Sequence, residues 1–113
     1  MRYIRGFNSQ RKHLLCMFEN YSKSFIYGLF DPRTPEIIRY IGRTKNMKIR
    51  LASHLYKKFS WDKKTKWIKS LRSIGLKPCI KLIDTVPTEE VKLIEKGYIK
   101  FFNSEFLLNE KKN

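Results

Sequence analysis

The apolar residues of this chain come in short runs separated by turn chemistry, and the spacing changes character along its length. Phe25-Ile26-Tyr27-Gly28-Leu29-Phe30 is aromatic and β-branched without a charge, which predicts a strand. Asp31-Pro32-Arg33-Thr34-Pro35-Glu36 follows with an Asp before Pro and a second Pro that cannot join a central ladder, so Ile37–Ile41 reads as the return strand of a hairpin. Asn46 is a natural N-cap for a helix to about Lys58, with Met47, Leu51 and Leu55 at helical spacing on its inner face. Arg50 and His54, one turn apart, border that stripe and are expected to point toward the sheet edge rather than into bulk water. A second helix is predicted over Asp62–Ile74, with Trp67, Ile68, Leu71 and Ile74 inward, Gly75 as the residue that ends it and Pro78 blocking continuation. Cys79–Asp84 reads as a third strand in which Ile80 and Leu82 alternate with Lys81. Pro87-Thr88 then caps and opens a last helix to about Phe102, with Glu89 and Glu90 in its positive first turn and Val91, Ile94, Tyr98 and Phe102 as its buried stripe.

These elements make an α+β domain in the order ββααβα over residues 24–113. Residues 1–23 form a basic extension in which Asn8 or Ser9 can cap a short helix from Arg11 to Phe18, although its apolar residues are too bunched for a clean stripe. Such a segment can pack on the main domain, touch phosphate or mediate self-association. No internal repeat or low-complexity stretch interrupts the pattern.

Charge changes the picture most. The 113 residues carry 25 Lys+Arg against 10 Asp+Glu, a net charge of +15, on a chain with only enough apolar content, 42%, for a single modest core. So large a charge on so small a domain points to a polyanionic partner rather than to a merely solvated face. A membrane is the weaker polyanion, since no apolar run approaches the roughly 18 residues a span requires. Cys16 and Cys79 have neither zinc-site nor disulfide-framework spacing and are expected as reduced thiols. The opening Met-Arg-Tyr-Ile-Arg lacks a secretory h-region, so the expected location is intracellular.

The candidate chemistry lies where the hairpin meets the helices. Tyr27 stands beside Gly28, and Tyr40 two residues before Gly42; glycine weakens a strand, so both glycines suggest close approach of backbone or ligand. A phenol can position water or relay its proton where nearby cations make the phenolate accessible. Arg50 supplies planar donors suited to phosphate and to transition-state charge. Glu95 projects between Val91 and Phe102 on the last helix, where an ionised carboxylate is costly unless partnered. It either snorkels out at the stripe's edge, or pairs with an arginine flanking the core, or serves as one of the few protein ligands that magnesium takes alongside water and phosphate oxygens. Arg43, Lys45, Lys63, Lys64, Lys66, Lys69 and Arg72 are candidates for nucleic-acid binding, those on the second helix as a backbone-tracking surface on its outer face.

With these residues in order, the chain resembles the GIY-YIG nuclease family. Phe25-Ile26-Tyr27 stands where the family has Gly-Ile-Tyr, and Tyr40-Ile41-Gly42 is the second motif. The Gly-Arg-Thr-x-Asn run followed by Arg50-Leu51-x-x-His54-Leu55 resembles the helix with the family's catalytic arginine. Glu95 in Ile94-Glu95-Lys96-Gly97-Tyr98 stands at the metal-binding glutamate, and Asn109 after Leu107-Leu108 at the family's asparagine. The resemblance implies a three-stranded antiparallel sheet flanked by helices and hydrolysis of DNA phosphodiesters with Mg2+ or Mn2+, without a nucleotide cofactor. It implies Tyr27 as general base or water-orienting phenol and Tyr40 and Arg50 as supports of nucleophile and phosphate. It also implies Glu95 as metal ligand, Asn109 as a brace or phosphate contact, and a supporting role for His54. Phe25 departs from the motif's glycine without removing a catalytic group. The chain ends soon after Asn109, so target choice is expected to come from the basic face, the N-terminal segment, homo-oligomerisation or a partner. A structure-specific repair or recombination nuclease, and an inactive nucleic-acid-binding module on the same scaffold, are the alternatives.

Overall fold

A computed structural model describes residues 22–56, 62–102 and 105–110. Strand β1 (Lys23–Phe30) leads through a turn to β2 (Ile38–Thr44), followed by helices α1 (Met47–Tyr56) and α2 (Lys63–Ser73). Strand β3 (Cys79–Pro87), a 3₁₀ turn (Thr88–Glu90) and helix α3 (Val91–Phe101) complete the described elements. The helix predicted within residues 1–21, and the expected end of the first domain helix at Lys57 and Lys58, lie outside the described residues. Lys23, assigned to the extension from sequence, opens β1.

The three strands form one antiparallel sheet in the order β2-β1-β3, which makes β1 the central strand. Its position explains its composition: a strand covered on both faces reads as a continuous apolar run rather than an alternation. On one face Ile26, Ile38, Ile41 and Val86 pack with Val91, Ile94 and Tyr98 of α3. On the other, Tyr27 and Leu29 pack with Ile68 of α2, and Tyr40, Met47, Leu51, Trp67 and Ile80 close around them. Each buried Ile or Leu contributes about 1.5–3 kcal/mol.

Local chemistry sets several element ends. The Asp31 carboxylate accepts from the Arg33 backbone N–H at 2.8 Å and from its guanidinium at 2.8 Å, closing the turn between β1 and β2. Asn46 Oδ1 accepts from Ile49 N at 3.0 Å and Asp62 Oδ1 from Thr65 N at 2.8 Å, so both helices begin at side-chain caps. At the end of α2, Gly75 has φ +82°. Gly75 N donates to the Arg72 carbonyl at 3.1 Å and Leu76 N to that of Leu71 at 2.9 Å, the paired bonds of a Schellman termination.

Several expectations fail for tertiary reasons. β2 runs on to Thr44, and β3 reaches Pro87 rather than stopping at Asp84, because both continue to pair with β1. Ile26 faces Asp84 while Tyr27 faces Leu82, so Ile83 is an extra residue in β3. The bulge sends Ile83 into the α3-side core and leaves Leu82, expected to alternate inward with Ile80, 51% exposed. Ile74 is exposed rather than inward, since the chain leaves the helix at that residue. Thr88 does not cap the last helix; its hydroxyl bonds those of Ser22 and Ser24 at 3.0 and 2.9 Å. Among the described residues no helix is long and apolar enough to cross a membrane, and Cys79 is a half-buried free thiol.

Candidate active site

Tyr27 lies on the face of β1 covered by α1 and α2, 2% exposed, directly opposite Gly42 in the β1–β2 ladder. A Cβ on Gly42 would fall against the Tyr27 hydroxyl and 2.6 Å from its Cζ, so the phenol occupies the space a side chain there would fill. The close approach predicted at Gly42 is therefore made by Tyr27 itself. At Gly28, on the opposite face, a Cβ would meet Ile38 and Ile83 methyls at 3.1 and 3.2 Å.

The Tyr27 hydroxyl is 2.7 Å from Nε2 of His54, a buried residue of α1. With the phenol protonated, its O–H donates and Nε2 of a neutral imidazole accepts, a tautomer assigned from this hydrogen bond. Tyr40 completes an aromatic trio: its ring centroid is 6.4 Å from that of Tyr27 and 5.6 Å from that of His54, the latter edge-on at 73°. α1 positions His54 because Met47 and Leu51 pack toward the sheet, leaving the residue one turn beyond Arg50 facing the phenols.

Charge acts on both hydroxyls. Burial is the main cause that pushes the Tyr27 phenol far above its ordinary value, with Tyr40 and Glu95 adding to the rise and Arg50 opposing it. Burial likewise raises Tyr40, reinforced by Glu95 and Asp62 and opposed by Arg50 and Arg43. Arg50 is exposed, not sheltered as its place on the helix suggested, yet its field reaches both phenols. Both tyrosines are thus neutral at physiological pH, and only added positive charge makes either phenolate accessible.

Glu95 sits on α3, on the other side of the sheet, with its side chain 15% exposed; Oε1 accepts from Arg43 Nη1 at 2.6 Å. This is the arginine pairing that sequence left as one alternative. A single carboxylate is the kind of ligand magnesium takes alongside water and phosphate oxygens, but here Oε1 is committed to the Arg43 guanidinium. Among the described residues no group of three or more His, Cys, Asp or Glu side chains converges as a cation cage.

Asn109 is tied to β2 at both ends of its amide, accepting from Ile41 N at 2.8 Å and donating to Ile41 O at 2.7 Å. With Leu108 N donating to the Arg39 carbonyl at 2.6 Å, residues 108–109 pair along the outer edge of β2. Of the basic candidates, Lys45, Lys63, Lys66 and Lys69 are exposed, Arg43 is engaged by Glu95, and Arg72 donates to the Leu55 carbonyl. Lys64, expected on the outer face, is 8% exposed with Nζ 5.1 Å from the Tyr40 ring centroid. Sequence reasoning missed Asp62 as a charge acting on Tyr40; its recognisable signal was that of a helix cap. No family model matches this chain, and neither a curated protein nor a solved structure matches it.

Proposed function

We propose that this chain is a divalent-metal-dependent endonuclease that hydrolyses DNA phosphodiester bonds, built on a GIY-YIG-like fold of order ββααβα with a basic N-terminal extension. The observation that carries the reading is the buried Tyr27–His54 hydrogen bond, flanked by Tyr40 and acted on by the charges of Arg50 and Glu95. A neutral phenol cannot take a proton unless it gives one up. His54 Nε2, 2.7 Å away, is the acceptor in reach. In this reading Tyr27 accepts a proton from the attacking water and passes its own to His54 as the water oxygen bonds to phosphorus and the ester P–O bond breaks, the leaving oxygen taking its proton from solvent. Tyr40 orients the nucleophile, and the exposed Arg50 guanidinium meets the phosphate and the charge that builds on it. Glu95 would hold Mg2+ or Mn2+, which would supply positive charge to offset that of the reacting phosphate. Asn109 braces β2 beneath Tyr40, and the exposed lysines of α2 track the DNA backbone.

The Arg43–Glu95 ion pair favours a second reading, a nucleic-acid-binding module without cleavage, because the guanidinium competes with a cation for the same carboxylate. Supercoiled plasmid, linear duplex and branched DNA incubated with magnesium separate the possibilities. The nuclease reading expects cleavage that EDTA abolishes and that Glu95→Ala or Arg50→Ala removes while the fold persists. Salt-sensitive binding with no cleavage under any divalent ion would select the binding module instead. Preference for branched substrate would identify a structure-specific repair enzyme.

A further inference from the structure

Lys64 departs from its neighbours. It lies four residues before Ile68 and seven before Leu71, so it shares the buried face of α2 with them, whereas Lys63 and Lys66 face solvent. A lysine ammonium is strongly hydrated and is seldom so covered unless negative potential meets it. The face of the Tyr40 ring, 5.1 Å from Nζ, contributes such potential, in a neighbourhood where the Asp62 and Glu95 carboxylates also act on Tyr40. Tyr40 is thereby held by a cation in addition to its edge-on contact with His54. A residue in that position is poorly placed to follow a DNA backbone.

We propose that Lys64 is a positioning residue of the candidate site, its buried ammonium fixing the Tyr40 ring and adding a cation to the charge field around the two phenols. The proposal rests on the nuclease reading for its catalytic consequence but not for its geometry. The test uses the full chain as wild type, Lys64→Met (stem kept, charge removed), Lys64→Arg (charge kept) and Lys66→Ala. Thermal unfolding establishes that each variant is folded. Should Lys64→Met not fold, Lys64→Gln takes its place. Tyr40 ring resonances from selectively labelled protein, the salt dependence of duplex DNA binding, and kcat and KM with magnesium are then measured.

The expected result for Lys64→Met is a shift of the Tyr40 ring resonances, an unchanged salt slope, and a fall in kcat of about tenfold or more with KM little altered. Lys64→Arg recovers most of the kcat. Lys66→Ala, in contrast, weakens binding and lowers the salt slope by about 0.9. Lys64→Met lowering the salt slope and raising KM with kcat retained would make Lys64 a phosphate contact and overturn the proposal, as would Tyr40 resonances that do not move. If the wild type cleaves no DNA, the nuclease reading fails alone: the Tyr40 resonances still decide whether Lys64 positions that ring.

Discussion

Replacing Gly42 with alanine tests the tightest contact of the site without reference to any activity. The added Cβ would lie against the Tyr27 hydroxyl and 2.6 Å from Cζ, well inside van der Waals contact. Tyr27 is 2% exposed and anchored to His54, so its ring has no open space into which to retreat. Overpacking of this kind costs about 1–3 kcal/mol, and displacing the phenol from His54 costs about 1 kcal/mol more. The reduced backbone freedom of alanine in the unfolded chain offsets about 0.5–1 kcal/mol. A net loss of about 1–3.5 kcal/mol follows, a large fraction of the stability of a small domain. Gly28→Ala is the comparator: its Cβ would meet Ile38 Cδ1 at 3.1 Å and Ile83 Cδ1 at 3.2 Å, methyl groups at the ends of adaptable side chains, so its cost stays within about 1 kcal/mol. Urea unfolding followed by tryptophan fluorescence measures both variants, with unchanged m-values required for the comparison. In a Tyr27→Phe background the nearest contact disappears, and Gly42→Ala should cost about 1 kcal/mol less than in wild type. Gly42→Ala within 0.5 kcal/mol of wild type, or no worse than Gly28→Ala, would refute the packing argument.

Two further outcomes are expected. Asn109→Ala removes both amide bonds to Ile41, at about 1 kcal/mol each, and should lower stability by about 1–2 kcal/mol while speeding hydrogen exchange at the Ile41 amide; unchanged exchange there would argue against the brace. Tyr27 has a folded-state pKa raised above its ordinary 10.0, so the folded chain holds that proton more tightly than the unfolded one. The stability this contributes is complete below pH 10.0 and is lost as pH rises above it, with Tyr40 acting in the same direction. Absorbance near 295 nm should therefore show part of the tyrosine titration coinciding with alkaline unfolding, and a smaller coincident fraction in Tyr27→Phe.

What could be read from the chain was whatever short-range chemistry decides. Asn46, Asp62 and Gly75 do at their helix ends what their side chains, or the lack of one, permit anywhere. The aromatic and β-branched run of β1 foretold a strand; that it is the central one, covered on both faces, emerged only from the packing. The bulge at Ile83 was not legible, since a β-bulge is a relation between two strands and leaves no periodicity of its own in a nine-residue segment. Lys64 was misplaced for a related reason. Charge suggested an outer face, whereas its spacing to Ile68 and Leu71 set an inner one, and the Tyr40 ring that meets its ammonium comes from a different element. The partner of Glu95 was open between a cation and an arginine because Arg43 lies on β2, and only the packing of α3 on the sheet brings them together.

The candidate site is joined across the sheet by two consecutive residues. Successive strand positions point to opposite faces, so Gly42 and Arg43 address different layers from adjacent positions. Gly42 clears room for Tyr27 on the face covered by α1 and α2, while Arg43 reaches Glu95 of α3 on the other. The β1–β2 register therefore carries more of the site than any single side chain: a one-residue slip would turn Tyr40 away from His54 and Lys64 and drive a guanidinium toward the Tyr27 ring. Asn109 holds Ile41, the residue immediately before this pair, by both halves of its backbone peptide groups. Its place outside the helices and strands is thus no measure of distance from the chemistry, because the bonds it makes pin the strand on which the phenols and the carboxylate both depend.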